Sequence, residues 1–284
     1  MATMRRLVSL GLLLCAAVVL FVCLAPGLAA EEKTVHLSFA LPEGKVFTYK
    51  ASQMEERFFS GMEMTISHSV VAEVSLSGMT EDGDFKVALS FSEEDASLLR
   101  DGELEDYEPQ IKLGGKTVYA FVNAKSEVSK AEAASYIPGL SGEEELRELI
   151  EDWFVRLPDA EVAVGQEWRI DIVKMGISQE GEEPEVKGYT DFKLKKVEEK
   201  NGLMIAEIEG KTHIDINKAM PFGRVIAEGK GEIKTKIALE GGYIIECKRK
   251  MDMKGKMVGK DPITGKESES KIAMTQYFEC KAEK

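Results

Sequence analysis

Long stretches of this chain alternate apolar and polar residues with a period of two, and glycine-bearing turns fold each stretch back on its predecessor. Residues 46–58 and 62–76 alternate, Glu81-Asp82-Gly83-Asp84 makes a turn, and Phe85, Val87, Leu89 and Phe91 resume on one face. The pattern returns in 189–197 and 203–214 around Lys200-Asn201-Gly202, and in 224–239 and 243–257 around Glu240-Gly241-Gly242. A period of two puts successive side chains on opposite faces of an extended strand. Glycine supplies the positive φ that tight hairpin turns require. These constraints predict a mainly β, β-rich α+β chain built from long curved antiparallel sheets.

Two of the hairpin units share an entrance. Gly44-Lys45-Val46-Phe47 opens one and Gly165-Gln166-Glu167-Trp168 the other, each a glycine followed three residues later by a large aromatic. We read two degenerate copies of one β-hairpin unit: a first β unit over 31–140, a connecting helix over 141–157 and a second β unit over 158–284, or one continuous domain over 31–284. The helix is predicted from Ser141 as cap and Glu144 as its capping-box partner. Leu146, Leu149, Ile150, Trp153 and Phe154 then repeat at helical spacing before Pro158 stops the run. So apolar a stripe needs a partner, and the concave face of the sheet is the expected one. Residues 93–108 read as an acidic loop and 131–136 as a short helical turn. A strand pair is expected in 111–128, turning at Gly114-Gly115 or at Asn123.

The amino terminus carries an export signal over 1–30. Arg5 and Arg6 precede an apolar run over 7–25, and Pro26-Gly27 and Ala29-Ala30 follow, ahead of Glu31-Glu32-Lys33. The run approaches the roughly 20 residues of a membrane span. The alternative to a cleaved signal is therefore a retained anchor, but proline, glycine and small residues suit a cleavage site better. After cleavage no transmembrane segment is expected, and the destination is periplasmic or extracellular. Loss of Arg5 and Arg6 moves the formal charge from −13 to −15, which excludes nucleic acid as a natural partner. Two cysteines remain, Cys247 and Cys280, with the turn-like segment 261–266 midway between them. A symmetric hairpin there would oppose the two directly, about 4.5 to 5.5 Å apart at Cα. A disulfide is the expectation in an oxidising compartment, the alternative being two small buried thiols.

No catalytic or metal constellation emerges, and the chain reads as non-enzymatic and free of cofactors. His36, His68 and His213 are scattered without metal-ligand spacing. Ser141 caps a helix rather than forming a nucleophile elbow, and Ser268-Glu269-Ser270-Lys271 lacks the companion motifs its spacing would need. There is no phosphate loop. Methionine is the unusual feature: Met62 with Met64 and Met251 with Met253 share strand faces, and Met274 opposes Met253 in the hairpin register above. Paired thioethers can hold copper(I), but the same spacing arises wherever methionine lines an adaptable apolar surface.

The segment Leu157-Pro158-Asp159-Ala160-Glu161-Val162-Ala163-Val164-Gly165-Gln166-Glu167-Trp168, together with the early glycine-aromatic strand entry and the methionine-rich strands, resembles a family of exported bacterial β-rich proteins of unknown function. That resemblance implies no catalytic residue. The expected architecture is more remotely similar to the periplasmic lipoprotein-carrier and lipid-carrier half-barrels, which hold acyl chains. The first expectation is thus a non-enzymatic cell-envelope protein binding a hydrophobic ligand, a lipid or a lipidated partner, between sheet and helix. Its contacts would be Leu146, Leu149, Ile150, Trp153, Met251, Met253 and Met274. The second is a structural or protein-interaction module of the envelope that uses sheet edges and acidic loops.

Overall fold

The alternating stretches fold as long antiparallel strands. The computed structural model describes residues 34–59, 61–158, 160–174, 185–220, 223–260 and 267–283; the export segment 1–30 and the turn 261–266 lie outside them. After a short β1 (Thr34–Val35) come β2 (Val46–Phe59), β3 (Met62–Met79), β4 (Phe85–Arg100), β5 (Glu103–Glu105), β6 (Thr117–Val122) and β7 (Val128–Ala133). The helix α1 (Glu143–Glu151) precedes β8 (Val162–Ala163), β9 (Glu167–Lys174), β10 (Val186–Lys200), β11 (Leu203–Met220), β12 (Gly223–Ala238), β13 (Ile244–Lys260) and β14 (Glu267–Ala282). Twelve strands form one open sheet in the order β7-β6-β4-β3-β2-β14-β13-β12-β11-β10-β9, with β5 beside β4, while β1 pairs with β8. The two hairpin units therefore join in a single sheet, because the last strand, β14, adds to β2.

Local turn chemistry sets the hairpins. Asn201 and Gly202 take φ of 55° and 75° between the paired Lys200 and Leu203, the two positive values of a primed turn matched to strand twist. Both repeat entrances are also alike, since Gly44 and Gly165 occupy the left-handed region immediately before β2 and β9. Phe47 packs on Tyr243, and Trp168 stacks on Phe192.

Four local expectations need correction. The helix is N-capped by Gly142 without a side-chain bond; Ser141 instead donates from its backbone N–H, at 2.6 Å, and from its hydroxyl to Glu145. The helix ends at Glu151, so Trp153 and Phe154 lie in the turn after it. The acidic stretch is not a loop: β4 continues to Arg100 through a register shift, which keeps Leu98 buried, and then turns at Asp101-Gly102 into β5. Residues 131–136 are not helical, because 128–133 pair with β6 as β7. That hairpin turns at Asn123, whose Oδ1 accepts the N–H groups of Lys125 and Glu127.

Candidate functional site

Opposed residues of an antiparallel pair share a face, so the register lets one face be followed across the sheet. From β3 through β2, β14, β13 and β12 to β11, one cross-strand row reads Val70, Ala51, Cys280, Cys247, Thr235 and Ile208. All six are buried. Over this half of the face lie Leu37, Phe39 and Leu41, the helix with Leu146 and Ile150, and the 154–157 segment. Trp153 meets Tyr49 and Phe91 edge-on, and the Tyr49 hydroxyl donates to the Ile244 carbonyl at 2.8 Å. Arg249, two residues along β13 from Cys247, donates to Asp152 Oδ1 at 2.8 Å and to the Phe154 carbonyl at 2.9 Å. It thereby fastens the segment after the helix to the sheet.

The space that Trp153 and Phe154 share with Tyr49 and Cys280 amounts to about 20 Å³, room for one water at most. No acyl chain fits there. The space beneath Trp153 and Phe154 is thus filled by the chain itself: Leu146 and Ile150 are core, and Leu149 and Trp153 pack against it. The helix is short, and its apolar stripe is already matched by the β7 side of the sheet.

Six residues further along each strand, about 20 Å away at 3.4 Å per residue, the same face is different. The row there reads Met64, Arg57, Met274, Met253, Gly229 and Ile214, and the next reads Met62, Phe59, Ile272, Gly255, Ala227 and Ile216. Met253 does oppose Met274, as the sequence register predicts. Side chains from these rows, with Val225, line an open trough of about 400 Å³, every wall of which is a strand. Beside it, next to the lining residue Met253, the sheet is cut low by glycine: a Cβ on Gly229 would come within 2.7 Å of Ile214 Cγ1 and 3.0 Å of Met253 Cγ. The missing side chains are what let the methionine and isoleucine lie flat across the sheet. Met251 lies between the two halves, over Gly231. Of the seven predicted contacts, then, Met253 and Met274 meet in the trough and the four helix-side residues do not. Met64 was marked only for sharing a strand face with Met62, and Arg57, Phe59, Ile216, Val225 and Ile272 were missed, because only strand order brings them together.

Cys247 and Cys280 stand opposite each other as expected, but as free thiols and not as a disulfide. Burial, reinforced by the Cys247 sulfur, pushes the Cys280 thiol up to about 12. This leaves little of the thiolate that oxidation requires. His68 donates to Glu94 at 2.8 Å, and Glu94 also accepts the Gly114 N–H at 2.7 Å; His213 packs on Tyr189. They sit on β3 and β11, with four strands between. Among the described residues no group of three or more His, Cys, Asp or Glu could hold a metal ion, and no helix is long and apolar enough to cross a membrane. Of the sheet's two edges, β7 lies against α1 and β9 is charged. On β9, Arg169 grips Asp191 through Nε at 2.6 Å and Nη2 at 2.8 Å, and Glu167 accepts from Lys193 at 3.0 Å. Such an edge discourages strand addition.

No protein-family model and no curated protein matches the chain. Among solved structures it is similar to one of lipovitellin, described by its lipid–protein interactions, with a TM-score of 0.50 at 9% identity. The match covers 86% of this chain and 25% of that one, so the chain spans about a quarter of the lipovitellin chain. At that identity the likeness is one of fold: a large open antiparallel β-sheet.

Proposed function

We propose that this chain is an exported, non-enzymatic envelope protein that holds a lipid or another apolar chain on the outer half of its sheet. The trough carries the reading. Its volume is in the range of small-molecule sites, and its lining is almost wholly apolar except for Arg57 and Lys254. Methionine, with three rotatable bonds and a polarisable sulfur, suits an occupant of variable shape. The fold adds support, since the structure it resembles is one described by its lipid–protein interactions. An interaction module working by strand addition is disfavoured by the charged β9 edge.

The test is binding of a fluorescent fatty acyl probe to the signal-cleaved protein. Wild type should bind it. Met274→Glu, which would set an unpaired carboxylate against the acyl chain, should weaken binding at least about tenfold, while a circular dichroism melt shows that the variant is folded. Absence of probe binding by the wild type, together with no apolar species in native mass spectra, would overturn the proposal.

A further inference from the structure

We infer that the occupant is a single-chain amphiphile with an anionic head, and that Arg57 holds the head. This rests on the reading that the trough takes an apolar chain, and adds which chemistry ends that chain. Arg57 is where two hollows meet. It lines the trough, and it also lines a second hollow of about 180 Å³ whose walls include Gln53, Glu55, His68, Tyr107 and Gln110. Ile66, Pro109, Ile111, Leu113 and Leu149 complete this second hollow, so an apolar trough and a hollow of mixed polarity meet at a single guanidinium, a layout that can take a tail and a head.

Arg57 is ion-paired with Glu55 and keeps donors for a second anion. Its neighbours along the row are Met64 and Met274, so within the row no other charge competes for it. Nε, at 2.8 Å, and Nη2 both donate to the same oxygen of Glu55, Oε2. The other oxygen of Glu55 accepts from Gln53 at 2.7 Å and, more weakly, from Gln276 at 3.5 Å. Glu55 is therefore held by neighbours on both oxygens and fixes the guanidinium plane, while the Nη1 donors lie outside the pair. A guanidinium oriented in this way suits a planar carboxylate or a phosphate. Because the whole chain carries a formal charge of −13, its long-range field repels anions, so the head must be captured by direct hydrogen bonding at this point.

Calorimetric titration of dodecanoate and dodecanol, each below its aggregation limit at pH 8, separates head from tail. Wild type should prefer the carboxylate by about tenfold. Arg57→Met should bring the ratio of the two affinities close to one, and Arg57→Lys should restore part of the preference. A wild-type ratio near one, or a preference that survives Arg57→Met, overturns this inference alone. The wild-type ratio decides even if the variant folds poorly. Failure of both ligands to bind overturns the trough reading, and the inference with it.

Discussion

The inner and outer halves of one sheet face are built from the same strands and differ in what covers them. Across β3 to β11 the inner row is closed over by the Leu37–Leu41 region, the helix and the segment after it; the outer row leaves Met64, Met274, Met253 and Ile214 half-buried. Residue type follows this division. The inner core holds valine, leucine, isoleucine, alanine and aromatic residues and, among the described residues, no methionine, while the outer rows place Met62, Met64, Met253 and Met274 and two glycines beside Ile214, Ile216 and Ile272. An interior packed to crystal-like density has no use for side chains that adapt. Where adaptable side chains cluster on a half-buried face, the surface is shaped for something the chain itself does not supply.

The sharpest way to break this comparison is to remove volume from the inner half. Ile150, on the sheet-facing side of the helix, is fully buried, so Ile150→Ala should cost about 2 to 5 kcal/mol, read from urea denaturation. A cost below about 1 kcal/mol would mean that the inner half is not a packed core. A second expectation concerns alkali. Cys280 titrates near 9.0 when exposed and is pushed up to about 12 in the fold. Between those values the unfolded chain loses a proton that the native one keeps, so stability is full below pH 9 and falls as pH rises, by at most about 1.4 kcal/mol per unit. Buried Tyr49, also raised above its usual 10.0, adds to the decline at higher pH. Denaturation midpoints from pH 8 to 11 should show a slope that Cys280→Ala reduces; a flat profile contradicts the buried thiol. The smallest effect belongs to the outer half, where Met274→Leu should change stability by less than about 1.5 kcal/mol while still altering acyl-chain affinity.

Much of the fold was legible in the sequence. The three hairpins, the turn at Asn201-Gly202 and the pairings of Cys247 with Cys280 and Met253 with Met274 all follow from period-two patterning about a local turn. The helix was legible too, but not its ends, because the Glu145 carboxylate competes for Ser141 and displaces the cap by one residue. The acidic stretch misled for a related reason: composition suggested a loop, whereas a register shift in β4 lets Glu94 bond to His68 and Gly114 and still turns Leu98 inward. The site was half legible. Methionine at alternate positions marked Met253 and Met274 as a lining, but nothing local placed them beside Arg57 and Phe59.

The sequence by itself determined strands, turns and the register within each hairpin, since these depend on residues close in the chain and on alternation that a one-residue slip would invert. Only the tertiary structure decided that β14 joins β2, which half of the shared face the helix and its flanking segments cover, and that two hollows meet at Arg57. Those choices depend on contacts between distant segments. Any apolar face satisfies the alternation equally well, and only the competition among all such faces for the same covering segments leaves one of them open.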